Sequence, residues 1–345
     1  MPDKNITTII CGTIQRETII NYDDQLSLDR PGGHALYSAS GYLLFDKPVG
    51  IVAKVNNDFL DLFGHNLQQK GFNLQGVSLS SSPINAQQYY RITSQNKWET
   101  TNIKRHFYEL GFDIPRFLLQ QDAYSKYNSS LLQEDDILLL SSDFPAEYEN
   151  AQTVLFTPMA LMSQSTCIPF LRGCGVKTIM IRSSTAYMTP PNLPKIPSLL
   201  QGIDIFFTTE KEIRTLFQSR FERFSEMLTV LKRFGASNIV IKKQENGYLL
   251  LQMDSYQIYH IPDFNVVVVD PIGEFDCFCG AFAAVFTKHL LPIQQCALRA
   301  SIAASICREG SGINYILDNH PALLRMRTSI LQDQIKQFSL SSFHE

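Results

Sequence analysis

The stretch Asp270-Pro-Ile-Gly-Glu-Phe-Asp-Cys-Phe-Cys-Gly-Ala-Phe-Ala-Ala284 decides how this chain is read. Phe275, Phe278, Phe282 and Phe286 recur at helical spacing with Ala281 to Ala284 between them, which predicts a helix with a buried stripe. Just before it, Val266-Val-Val-Val269 is β-branched throughout and holds nothing polar, the pattern of a strand buried on both faces. A short turn with Gly273 separates the two, flanked by Asp270 and Asp276. Asp276 falls in the first helical turn, where free backbone N–H groups form an anion site suited to phosphate. A carboxylate there can take a proton from an attacking hydroxyl. It can equally do no more than complement the helix dipole, with Asp270 as the cap.

The rest of the chain bounds the answer. At 345 residues it can bury a sizeable core, and 44% hydrophobic with 18% charged residues is ordinary globular composition. A net charge of −3 argues against a nucleic-acid partner. No run approaches the roughly 18 apolar residues of a membrane helix, and no membrane partner is expected. Met1-Pro-Asp-Lys-Asn5 does not read as a signal peptide, so the expected compartment is cytoplasmic. Of seven cysteines only Cys277 and Cys279 stand close together, and buried thiols explain them more simply than a metal pair.

Taken in order, Ile6 to Ile14 reads as a first central strand, and the polar stretch Thr18 to Arg30 as exposed strands beside the main sheet. Pro31-Gly-Gly33 turns into a helix from about His34 to Phe45, followed by a strand over 48–55 and a helix over 58–70. Val77 to Tyr108 lacks helix signals and reads as further sheet or lid. Regular strand–helix alternation follows, with strands expected over 136–141, 153–156, 176–182, 204–207, 238–242 and 247–253. Glu245-Asn-Gly247 supplies a hairpin turn, and helices from Ile293 onward close the chain. Such alternation predicts a parallel, doubly wound sheet.

The central stretch resembles the C-terminal signature of the PfkB (ribokinase-like) carbohydrate kinases, Asp-Thr-x-Gly-Ala-Gly-Asp-x-Phe-x-Gly. Asp270, Gly273, Asp276, Phe278 and Gly280 match in register; Pro271 and Glu274-Phe275 depart from it. Pro31-Gly-Gly-His-Ala-Leu-Tyr-Ser-Ala39 resembles the family's N-terminal Gly-Gly signature. Val52-Ala-Lys-Val-Asn-Asn-Asp58 resembles its Val-x-x-Val-Gly-x-Asp, with Asn56 for glycine. Phe207-Thr-Thr-Glu-Lys-Glu212 is similar to its Asn-x-x-Glu, with Thr209 for asparagine. Lys242-Lys-Gln-Glu-Asn-Gly247 is similar to its Gly-x-x-Gly nucleotide loop, with Gln244 for the first glycine.

The resemblance implies a single ribokinase-like α/β domain over 1–345, with helices on both faces of a mainly parallel sheet. A small β-sheet lid, from about 14–32 and 76–112, would cover the site and join a homodimer if the chain is not a monomer. It implies Asp276 as catalytic base, Gly273 and the following amides as the anion hole, and Glu212 organising magnesium and phosphate through water. Asp270, Thr209, Gln244 and Gly247 would face ATP; Glu17, Gly33, His34 and Asp58 would face a sugar or nucleoside acceptor. Plainer readings stand beside these. Thr209 and Glu212 also form a capping box, Glu17 reads equally as a solvated glutamate, and His34 as an ordinary helix-start residue. A glutamate at 274 repels a γ-phosphate unless it turns away, and Phe275 adopts a glycine-only backbone at a cost. Two functions are therefore open: a kinase, or a non-catalytic binding protein on the same fold. Position 274 discriminates, since a carboxylate facing the anion site favours the second and one salt-bridged away favours the first.

Overall fold

The computed structural model describes residues 5–80, 87–94, 97–119, 138–218, 220–244 and 247–339. Fourteen strands are found among them: β1 (Thr8–Cys11), β2 (Gln15–Ile20), β3 (Leu26–Gly32), β4 (Val49–Val55), β5 (Phe72–Leu79), β6 (Gln87–Ser94), β7 (Lys97–Glu99), β8 (Thr153–Phe156), β9 (Thr178–Arg182), β10 (Ile205–Thr209), β11 (Asn238–Lys242), β12 (Tyr248–Gln252), β13 (Gln257–Ile261) and β14 (Lys336–Ser339). Ten form one sheet in the order β14-β13-β12-β11-β10-β9-β8-β1-β4-β5. From β11 to β5 every neighbouring pair is parallel, and β12, β13 and β14 add an antiparallel margin.

Strand residues alternate between two cores, because successive side chains point to opposite faces. Ile10, Ile205, Phe207 and Val240 enter one core; Ile9, Cys11, Phe206, Ile239 and Ile241 enter the other. Helices cover both faces, so the sheet is doubly wound. The first core carries the helices that matter for the site: α1 (His34–Leu43), α3 (Glu274–Phe286) and α4 (Ile293–Glu309). On the opposite face lies α2 (Glu210–Leu216), which opens directly from β10. The short α5 (Gly312–Leu317) follows α4.

A second sheet, in the order β3-β2-β6-β7, is built from residues 15–32 and 87–99. Ile20, Tyr89, Ile103, Phe107 and Leu118 give it a small core of its own. Its strands are not simply exposed, as their polar sequence predicts: Glu17, Thr18, Ile19 and Ile20 are all buried. Residues 76–79 belong instead to β5 of the main sheet, and Ile103–Glu109 is a helix that the sequence does not announce.

Val266–Val269 corrects a firmer expectation. The segment carries no strand, and Val267 is 81% exposed. The strand before α3 is β13; the chain then runs irregularly, with the Val269 and Asp270 amides both donating to the Arg308 carbonyl. A β-branched run with no neighbouring strand to pair with has no ladder to join. Residues 138–140 likewise carry no strand, and 136–137 lie outside the described residues, as do Glu245 and Asn246 of the expected hairpin turn. β14, at the far margin of the sheet, is a strand that the sequence reading did not contain. Among the described residues no helix is long and apolar enough to cross a membrane.

Candidate active site

Two helix starts are brought together by a close crossing. A Cβ on Gly280 of α3 would stand 1.6 Å from the Ser38 carbonyl oxygen, and one on Gly41 of α1 would stand 2.0 Å from that of Cys277. Only hydrogen at both positions lets the backbones touch, and that contact sets how the N-termini of α1 and α3 meet. At the meeting point His34 Nδ1 lies 2.8 Å from Asp276 Oδ2. Asp276 is 6% exposed, and among the described residues its buried Oδ1 has no hydrogen-bond partner.

The start of α3 beside Asp276 presents less negative charge than the sequence suggests. The Glu274 carboxylate turns into the protein: Lys242 Nζ stands 2.5 Å from Oε2, and the Tyr248 hydroxyl and Arg308 Nε lie 3.4 and 3.6 Å from Oε1. Nor is Phe275 forced into a glycine backbone. The positive φ of 78° falls on Gly273, and Phe275 is already inside the helix, packed on Tyr248 and Phe278. Asp263, which pairs with Arg308 at 2.7 Å, is raised to about 6, chiefly by burial and, beyond that, by Glu274, against the opposing pull of Arg308.

Arg182 and Lys242 end β9 and β11, and Thr209 ends β10 between them, so three adjacent parallel strands offer their carboxyl ends to this region. That edge is where open α/β sheets bind ligands. Arg182 donates to Glu212 Oε1 at 2.7 Å, and its guanidinium lies over the Phe275 ring at 4.9 Å. Burial alone would lower the Arg182 guanidinium, but Glu212 and Asp276 hold it above its ordinary value.

Glu212 and Thr209 form the capping box. Thr209 Oγ1 accepts from the Glu212 amide at 3.1 Å, and Glu212 Oε2 accepts from the Thr209 amide at 2.8 Å. Oε2 also takes the Ser183 hydroxyl at 3.0 Å. Both oxygens are thus occupied in a residue only 2% exposed, and Glu212 as placed does not fit a direct magnesium ligand. Among the described residues no group of three or more His, Cys, Asp or Glu is arranged to hold a metal ion.

Beneath α1 lies a buried charge network. Glu17, 1% exposed, accepts from the Gly33 amide at 2.9 Å and the Tyr37 hydroxyl at 2.8 Å. It is not the solvated glutamate of one reading, and its oxygens are held inside rather than offered to a ligand. Burial raises its carboxyl, opposed by Arg30 and the bonds from Tyr37 and Gly33. Arg30 of β3 donates to Tyr37 at 3.1 Å and to Asp270 at 2.6 Å, where Ser311 adds a bond at 2.7 Å. Asp270 Oδ1 takes the Ile272 amide at 3.0 Å, so this carboxylate braces the turn into α3 from within and faces no open space. Gly33 has a φ of 92°, and a Cβ there would stand 2.7 Å from the Thr13 carbonyl oxygen.

Asp58 stands apart at the rim, 54% exposed and paired with Arg16, which also grips Asp29. Gln244 is exposed, and Gly247 is a buried turn glycine whose Cβ would meet the Ile261 carbonyl oxygen at 2.2 Å. The structure therefore joins His34, Gly273 and Asp276 at one place and stacks Glu17, Gly33 and Asp270 behind it. Thr209 and Glu212 serve α2. The residues that sequence reading missed are Arg30, Arg182, Lys242 and Arg308. Their signal was position alone: two lie at parallel strand ends, one just before the Gly-Gly pair, and one at the end of α4.

The fold and site together define a ribokinase-like α/β protein, a mainly parallel doubly wound sheet with a small separate sheet beside the N-termini of α1 and α3. A family model described as "pfkB family carbohydrate kinase" matches residues 120–319, more than half of the chain. The chain belongs to the pfkB family of carbohydrate kinases. It is 21% identical over 291 residues to a cytidine kinase of Thermococcus kodakarensis, covering 84% of this chain and 91% of that one. Among solved structures, Arabidopsis thaliana ribokinase complexed with ribose and ATP matches with a TM-score of 0.66 at 17% identity, over 94% of this chain and 99% of that one. A Burkholderia thailandensis nucleoside kinase in complex with inosine matches with a TM-score of 0.64 at 13% identity, over 94% and 98%.

Proposed function

We propose that this chain is an ATP-dependent phosphotransferase that moves the γ-phosphoryl group to a hydroxymethyl group of a sugar or nucleoside. The observation that carries the reading is Asp276: a buried carboxylate with one oxygen held by His34 and the other without a hydrogen-bond partner among the described residues. A buried acceptor left unpaired costs free energy, and an acceptor hydroxyl donating to Oδ1 would supply the missing bond. Asp276 then takes that proton as the hydroxyl oxygen attacks the γ-phosphorus and the bond to ADP breaks. Gly273 and the first amides of α3 face the charge that develops on the phosphoryl group.

The neighbouring glutamate supports the kinase reading over a non-catalytic one. Glu274 is salt-bridged into Lys242 and Arg308 rather than facing the anion site. A sugar or nucleoside acceptor is supported by relatives named for cytidine, ribose and nucleosides. The same reading takes the chain as a monomer or a homodimer joined through the small sheet, where Leu28 and Trp98 are nearly half exposed.

The test is magnesium- and ATP-dependent ADP release across a panel of sugars and nucleosides. Acceptor-dependent release that disappears in Asp276→Asn, with ATP binding retained, is the expected result. Substantial turnover in that variant would remove Asp276 from its role. Silence across the panel with ATP still bound would favour the non-catalytic reading.

A further inference from the structure

His34 opens α1 and Asp276 lies in the first turn of α3, and the glycine-mediated crossing of these helices holds them in register. The contact joins the imidazole Nδ1 to Oδ2 at 2.8 Å, with the two side chains 31% and 9% exposed. A carboxylate only accepts, so Nδ1 carries the proton, and the neutral form of the ring in this contact is the Nδ1–H tautomer. We infer that His34 is a positioning residue for the base: its N–H fixes Oδ2, leaves Oδ1 for the acceptor hydroxyl, and makes turnover follow the protonation of an imidazole. The inference rests on the kinase reading of Asp276.

The reasoning is electrostatic. With the ring neutral, Asp276 is oriented but keeps its affinity for the acceptor's proton. A second proton on Nε2 places a full positive charge against the carboxylate, weakens it as a base, and slows transfer.

Three of the described ionisable groups near the pair keep their charge state as the ring titrates. Arg182 from β9 is held cationic by Glu212 and Asp276. Tyr90 from the small sheet is pushed up by burial and by Glu17, Asp276 and Asp270, and stays neutral. Cys279, on α3, is pushed well up by burial and then by Asp276. From β2, Glu17 is bonded to the Gly33 amide one residue before the ring, and burial raises its carboxyl.

The experiment is the pH dependence of kcat and kcat/KM for the wild type, His34→Asn and His34→Phe, with ATP affinity measured alongside. The asparagine amide still donates to Oδ2 but cannot titrate. His34→Asn should keep kcat within about tenfold and move the acid limb down by about one pH unit or more. His34→Phe should lose on the order of a hundredfold in kcat with ATP affinity unchanged. An acid limb that does not move in His34→Asn overturns the inference, as does a phenylalanine variant with wild-type kcat. NMR titration of the His34 ring gives a readout that needs no turnover. Removing the facing charge in Asp276→Asn should lower the ring's midpoint by about one unit or more, and an unmoved midpoint overturns the pairing. An enzyme silent with every acceptor but with the expected NMR shift would sink the kinase reading and leave the pair standing.

Discussion

Lys242 at the end of β11 places its ammonium 2.5 Å from the carboxylate of Glu274, the residue that stands between Gly273 and the rest of the first turn of α3. A glutamate beside the proposed anion site is thereby turned away from it. Its charge is spent on Lys242 and Arg308, in a residue 3% exposed.

Removing that lysine should return the problem. Lys242→Met leaves Glu274 with only its longer contacts to Arg308 and Tyr248. Turnover should fall about tenfold, the equivalent of roughly 1.4 kcal/mol, with a rise in KM for ATP. Lys242→Met combined with Glu274→Gln should recover most of the loss. Steady-state kinetics of the single and double variants decide it; no recovery in the double variant would mean that Lys242 acts on the nucleotide directly.

Gly280→Ala should be costly out of proportion to one methyl group. Its Cβ would sit 1.6 Å from the Ser38 carbonyl oxygen, so α1 and α3 must part. Overpacking against backbone should cost about 3 kcal/mol in urea unfolding and separate His34 from Asp276. A variant of wild-type stability would show that the crossing yields easily.

Glu212→Gln separates two roles for one residue. Arg182, with its side chain 12% exposed, would lose its anion, at a cost of about 2–4 kcal/mol in stability. The magnesium dependence of turnover should stay within about twofold, since both Glu212 oxygens already have protein partners. A loss of about tenfold or more in apparent magnesium affinity would instead put Glu212 to work on the metal.

Asp263 gives the fold a dependence on pH. Its carboxyl rises from 3.8 to about 6 on folding, chiefly through burial, and Oδ1 has no partner. A raised acid binds its proton more tightly in the folded state. Its contribution is therefore fully present below about pH 4 and is lost as pH rises through about 6. Relative to Asp263→Asn, the wild type should lose on the order of 2 kcal/mol between those limits. Denaturant titrations at both ends measure it, and parallel stability curves for the two proteins would refute it.

Much of the architecture was legible in one dimension. Alternating strands and helices dictated a doubly wound sheet, because buried parallel strands need apolar runs and their crossovers need helices. The phenylalanine spacing of 275, 278, 282 and 286 dictated α3, and Gly273 its start. The sequence also marked Asp276 through its match to the family signature, since a carboxylate in a first helical turn otherwise reads as a complement to the helix dipole. Tertiary structure alone decided what the neighbouring charges do. Glu274 reads as a defect until β11 and α4 deliver Lys242 and Arg308 to it, and Glu17 reads equally as solvated or ligand-facing until the small sheet folds Arg30 over it. Val266–Val269 shows the converse: strand propensity without a neighbouring strand to pair with produces no strand. Periodicity is a local property of the chain, so the sequence carries it. A buried charge is settled by whichever residue, tens or hundreds of positions away, the fold brings within about 3 Å, and only the packed molecule determines that.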